Sequence, residues 1–247
     1  KSQMTISAEG IVRDVLTLEG TWTMLAEHLI RLGTPPYYDT YDYTTLTPYW
    51  IISHILSEVT AAATNYNFQI GFPSSQDDGI INTFIPKFTP NEETRFDNAA
   101  HLISTLMDMT KCYLRPQVYA GGIIGLEIIY PQASDPVLAT YYSDQVHYFY
   151  EYNEILNVAV PNHIWLFAYL DGDTNPNIIT AEASDAAQIA LYRDVPEIHT
   201  AATIENQTDA NNRAAAILSK ALANVVAGRM IAPHDCRLEL YDRILIA

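Results

Sequence analysis

Residue types able to do chemistry are sparse in this chain. Asp171, Asp173 and Asn175 stand at alternate positions, and Glu182 falls where a calcium loop places its bidentate carboxylate. Such a loop needs glycine at its sixth position for a sharp turn, and Pro176 stands there with φ held at about −65°. An EF-hand is thereby excluded. Asp and Asn are common hairpin-turn residues, so a turn is the preferred reading of this segment.

His234, Asp235 and Cys236 bring together an imidazole, a carboxylate and a thiol, the components of thiol catalysis. Adjacent residues in an extended segment point in different directions, so Cys236 is expected to be a small core side chain rather than a nucleophile. Two cysteines, Cys112 and Cys236, are too few for a disulfide framework or a cysteine zinc site and are read as buried free thiols. The seven histidines are dispersed. His28 and His54 are read as unpaired with any second ligand, and His54 as a boundary imidazole near the apolar face of its helix. Phosphate-binding glycine loops, paired-His helices and nucleophile elbows are missing from the sequence. The expectation is a protein without catalytic, cofactor-binding or metal site residues, not an enzyme, with no cofactor.

Tyrosine is the most prominent remaining resource, at 17 residues. The segments from Tyr37 to Tyr49 and from Tyr141 to Tyr152 would suit protein docking or sugar stacking, because tyrosine combines apolar area with a polar tip. Their competing role is half-burial against the chain's own core.

Acidic residues outnumber basic ones 29 to 13, for a formal charge of −16, and the cations form no run. Phosphate-backbone and anionic-membrane partners are disfavoured, since both need clustered cations. No apolar run reaches the roughly 18–20 residues that span a bilayer, and residues 1–10 lack a signal-peptide pattern, so a soluble chain is expected. With 49% hydrophobic and 17% charged residues the composition is globular, and 247 residues allow one large domain or two ordinary ones. A start at Lys1 and an apolar end at Ile244, Leu245 and Ile246 suggest a piece of a longer polypeptide.

The elements that would position these residues follow from periodicity. A strand is expected over 11–18, then a helix over 21–32 on Trp22, Leu25, Leu29 and Ile30. Thr47 and Pro48 open a helix buried along Ile51, Ile52, Ile55, Leu56 and Val59. Another begins near Thr94 and is ended by Pro116. Residues 68–88 read as an irregular excursion with one short strand. Strands are expected over 123–130, 146–152, 164–170 and 177–181, the last two a hairpin, with a short helix capped by Ser184 or Asp185 and an extended run over 192–198. An Ala-rich helix over 208–228, capped by Thr208 and stopped by Gly228, is expected to lie on strands at 164–170 and 238–244. Residues 229–232 and 237–246 then close the chain as two strands. A boundary near 155 separates a helix-rich module, 1–154, from a strand-rich one, 155–247.

Several runs resemble a known family. Tyr148, Phe149, Tyr150, Glu151 and Tyr152, with Val160, Pro161, Asn162, His163, Ile164, Trp165, Leu166 and Phe167, are similar to a strand, Asn turn and strand of tail hub proteins from long-tailed bacteriophages. The similarity continues through Ala183, Ser184 and Asp185, through Val195, Pro196, Glu197 and Ile198, and through Asn206, Gln207, Thr208 and Asp209. It ends on Pro233, His234, Asp235, Cys236, Arg237 and Leu238. It covers residues 90–247 well and the rest loosely. The resemblance implies an α+β protein in which a helix-containing module precedes a mixed, largely antiparallel, barrel-like β domain with a packed Ala-rich helix. It also implies a virion structural protein, a homotrimer at the end of the tail tube that contacts other tail or baseplate proteins and has no catalytic centre. The family's first barrel would be missing or reduced to residues 11–18. The alternative reading is a carbohydrate-binding or carbohydrate-cleaving tail module using the same Tyr faces.

Overall fold

The computed structural model of the chain describes residues 2–6, 12–16, 20–31, 45–62, 68–86, 96–121, 123–143, 149–156, 160–169, 178–201, 204, 206–223, 226–233 and 235–247. In chain order the elements are β1 (Ser2–Ile6), β2 (Val12–Leu16), α1 (Thr21–Glu27), β3 (Leu29–Arg31), α2 (Pro48–Ala62), β4 (Phe68–Gly71), β5 (Phe96–Asn98), α3 (Ala99–Met107), β6 (Tyr113–Tyr119) and β7 (Ile123–Ile129). They continue as β8 (Ala139–Tyr141), β9 (Glu151–Leu156), β10 (His163–Tyr169), β11 (Ile178–Ser184), α4 (Ala186–Leu191), β12 (Pro196–Ala201), α5 (Gln207–Ala223), β13 (Val226–Ile231) and β14 (Ile244–Ile246).

The architecture is α+β, as expected. Among the described residues the strands form small mixed sheets of two or three strands, and no closed barrel is present. The two three-stranded sheets run β4-β7-β6 and β11-β10-β12, each with one parallel and one antiparallel pairing.

One core gathers around α2 and α3. Ile51, Ile52, Ile55, Leu56 and Val59 recur at helical spacing and are buried, and they meet Leu102, Ile103 and Leu106 of α3 and Leu126 and Ile128 of β7. A second core lies between α5 and the β11-β10-β12 sheet. Ile164, Leu166 and Ala168 alternate along β10 and so share one face, against Ala210 and Ala214 of α5, which have no bulk to hold the helix away. Ile80, Phe84 and Met109 complete this second core from the first half of the chain.

Several boundaries depart from the periodic reading, each for a tertiary reason. The helix expected over 21–32 stops at Glu27, because residues 29–31 pair antiparallel with β5, Ile30 opposite Asp97. The helix expected from Thr94 starts at Ala99 instead, where Asn98 accepts the His101 N–H at 2.8 Å. It ends at Met107 without help from Pro116, which lies in β6 opposite Leu126. There proline is tolerated because β6 is the sheet's edge strand. Thr47 precedes α2 as expected, but its hydroxyl is buried without a partner, and the Tyr49 N–H is taken by the Ile81 carbonyl at 3.1 Å.

The Ala-rich helix opens two residues before the expected cap: Asn206 accepts the Asp209 N–H at 2.9 Å through its side chain. It closes at Ala223, and Gly228 is no helix terminator but a residue of β13, opposite Glu154 of β9. Pairing to β9 satisfies a full run of backbone groups there. Helix α5 rests on β10 and β11, and the strand expected beneath it over 238–244 does not form. Those residues are largely turns, and only Ile244–Ile246 is strand, parallel to β8. Other expectations hold: β2 within 11–18, the short strand in 68–88, the β10–β11 antiparallel pair, and Asp185 capping α4 through the Ala187 and Gln188 N–H groups at 3.0 Å each. The strand expected over 146–152 begins only at Glu151 and runs to Leu156, the extended run over 192–198 is strand from Pro196, and the 171–176 turn lies outside the described residues.

Candidate functional site

A cavity of about 440 Å³ opens where α1, the end of α3, the start of β6, α5 and the turn before β14 meet. Its floor begins at a turn that the chain pins firmly. Asp78 accepts the Lys111 N–H at 2.7 Å and the N–H groups of Ile80 and Ile81 at 2.9 and 2.8 Å, tying residues 108–112 to residues 78–81. Helical spacing then puts Ser104, Met107 and Asp108 on one side of α3, all lining the cavity.

Lys220 of α5 enters from the opposite side. Its ammonium donates to the Met107 carbonyl at 2.8 Å, stands 3.8 Å from Asp108, and lies 5.2 Å from the centre of the Tyr113 ring. Burial pushes its pKa down, with the Asp108 carboxylate working in the opposite sense. Burial raises the pKa of Tyr113. The far wall is Tyr241, stacked on Tyr113 with ring centres 4.7 Å apart.

Tyr241 holds φ at +70°, a left-handed conformation uncommon outside glycine. Arg115 keeps it there. The Arg115 guanidinium meets Glu239 at 3.0 Å and Asp242 at 3.2 Å, on either side of Tyr241, and meets Glu127 of β7 at 2.5 Å. Burial disfavours its charge, but the three carboxylates outweigh that and raise its pKa.

A second polar locus sits at the mouth of the β11-β10-β12 sheet. The His163 ring pairs with Glu182 at 2.9 Å and Asp194 at 3.0 Å and lies beside Trp165. Buried Asn162 accepts the Val195 N–H at 2.8 Å and donates to the Arg193 carbonyl at 2.7 Å. The His163 partners lie 19 and 31 residues away, so no local spacing signals them.

The residues singled out from sequence do not converge. Asp171, Asp173 and Asn175 lie outside the described residues, as do His234 and the tyrosines of 37–43; Glu182 is described, and its carboxylate faces His163. No group of three or more His, Cys, Asp or Glu able to hold a metal ion occurs among the described residues. His54 does have a carboxylate four positions on: Glu58, at 3.8 Å, a pairing the spacing reading missed. His28 serves through its carbonyl, which accepts the Ala99 N–H at 2.9 Å.

Asp235 turns to Arg237, at 2.6 and 2.9 Å. Cys236 is exposed, which corrects its placement in the core: it sits in the turn that replaces the expected strand. Cys112 is buried as expected, and burial, then Asp78, pushes its thiol far up. Alkylation by iodoacetamide should therefore label Cys236 alone in the native protein and both thiols after denaturation. Native labelling of Cys112, read by peptide mass spectrometry, would contradict this packing. Of the tyrosine segments, Tyr49 is half-buried against Trp50 and Phe72, Tyr141 is buried, and Tyr150 and Tyr152 are exposed. The cavity's aromatic residues come from elsewhere in the chain.

The fold is similar to those of solved tail proteins. A tail protein from Neisseria meningitidis MC58 superposes with a TM-score of 0.65 over 100% of this chain and 68% of that one, at 8% identity. The fold of this chain is similar to that tail protein's. The 43 kDa tail protein of prophage MuSo2 from Shewanella oneidensis shares it with a TM-score of 0.52, over 79% of this chain and 56% of that one, at 11% identity. No protein-family model and no curated protein matches the chain by sequence. Identity this low is consistent with a likeness set by burial pattern and topology rather than by retained side-chain chemistry.

Proposed function

We propose that the chain is a structural component of a phage tail, placed at the tail-tip or baseplate hub, where it assembles as a homotrimer with other tail proteins and acts by assembly rather than catalysis. The tail-protein fold over the whole length of the chain carries this reading. The protomer's surface supports it. Val118, Leu191, Ile198 and Leu240, each at least 60% exposed, are apolar side chains available to subunit contacts.

Three copies of a −16 chain repel one another, so the contacts that hold them must bury apolar and tyrosine area, with carboxylates turned to solvent or to a central channel. Salt shortens that repulsion to a Debye length of about 8 Å at physiological ionic strength. Trimer formation is therefore expected to strengthen as salt rises, which size exclusion with light scattering measures. A strict monomer at high concentration and at both ionic strengths would count against the trimer. Association that weakens with salt would replace apolar contacts with opposite-charge ones.

A further inference from the structure

We infer that the cavity between α3, α5 and the Tyr241 turn is a binding site for a neutral saccharide. The inference goes beyond the assembly role and is independent of it. Three properties of the lining select this class.

The first is charge. Lys220 and Asp108 contribute one cation and one anion, so an anionic ligand meets Asp108 and a −16 chain, while a cationic one meets Lys220. A ligand without net charge meets neither objection.

The second is the mix of hydrogen-bonding groups. Lys220 donates, Asp108 accepts, and Ser104 and the Tyr113 and Tyr241 hydroxyls do both. A sugar hydroxyl also donates and accepts, so a ring bearing several of them can satisfy this set.

The third is the aromatic wall. Trp22 and Tyr241 line the cavity and remain 42% exposed each, aromatic surface on which the C–H face of a pyranose can stack; one face of the Tyr241 ring is already taken by Tyr113. The volume, about 440 Å³, lies within the usual range for small-molecule sites. Tyr241 is moreover held at φ +70° by the Arg115 clasp on both sides, and strained residues of this kind concentrate at ligand clamps.

The test is saturation-transfer NMR of the intact chain with methyl glucoside, methyl galactoside, methyl rhamnoside, N-acetylglucosamine and maltotriose, followed by titration of whichever responds. At least one of these should receive transfer, with an affinity that does not change with salt. Trp22→Ala should weaken binding about tenfold, the size of one lost stacking contact, and Asp108→Asn should weaken it too. The Asp108 side chain is 71% exposed, so Asp108→Asn should leave the thermal melt unchanged. Trp22 is 42% exposed, so Trp22→Ala is expected to lower the melt slightly, and its affinity is measured well below that melt. The inference is overturned if no neutral sugar receives transfer, or if Trp22→Ala leaves the affinity unchanged. It is equally overturned if only anionic probes such as anilinonaphthalene sulfonate bind, with an affinity that rises with salt. The oligomeric state of the protein enters none of these readouts, so failure here is separable from failure of the tail-hub reading.

Discussion

Replacing Leu166 by alanine is expected to lower the stability of the fold by about 2–5 kcal/mol, the range for a leucine removed from a close-packed interior. Leu166 is 1% exposed on β10, the central strand of its sheet, with Ala181 of β11 opposite it and α5 across its face. Flanking strands on both sides prevent the sheet from collapsing into the space vacated, so the cavity term adds to the lost transfer energy. The contrast with Leu218 sharpens the expectation. Leu218 belongs to the apolar stripe of α5, and spacing alone places it in the core, but it is only half-buried, at the margin of the same cluster. Leu218→Ala should cost about 1–2 kcal/mol, in proportion to the smaller area it removes from water. Denaturant midpoints at constant slope measure both. Equal losses at the two positions would show that α5 is rotated relative to the packing described here.

Gly125→Ala is expected to be of comparable severity for the opposite reason, too little space. Gly125 lies in the middle of β7, and the Tyr119 ring crosses over it from β6. A methyl group there would strike the ring of Tyr119 and stand 2.6 Å from the Gln69 carbonyl oxygen of β4. The ring can move aside, but the carbonyl belongs to a paired strand and cannot, so about 1–3 kcal/mol or more is expected. Gly71 provides the internal control. An added methyl there meets only the phenol end of Tyr119, which can swing away, so Gly71→Ala should be milder. Thermal melts of the two variants decide the point: a milder effect at Gly125 than at Gly71 would mean that Gln69 does not constrain the site.

Spacing told most about segments whose environment is local. The α2 face, the alternation along β10 and the Asp185 cap of α4 were legible because the partners that bury or satisfy them are set by helical or strand period within a few residues. Boundaries were lost wherever a distant strand competed for the backbone. Residues 29–31 and 226–231 sit in helix-compatible runs, yet β5 and β9 offer a ladder of hydrogen bonds that helical continuation does not match.

The candidate site was less legible still, because its members come from α1, α3, β6, α5 and residue 241, and only the stretch 104–116 carries two of its walls. Arg115 and Asp242 are separated by 127 residues, and each alone reads as an ordinary surface charge. By itself, then, the order of residues determined the amphipathic faces, the turn chemistry, the acidic charge and the α+β class, since these are properties of neighbouring side chains and backbone. The tertiary structure decided which face meets which. It set the pairings of β3, β9 and β14, exposed Cys236, and brought Lys220, Asp108, Tyr113 and Tyr241 around one cavity. Such contacts arise only when chain closure over long loops is repaid by burial of both partners, and that free energy has no signature in any local stretch of sequence.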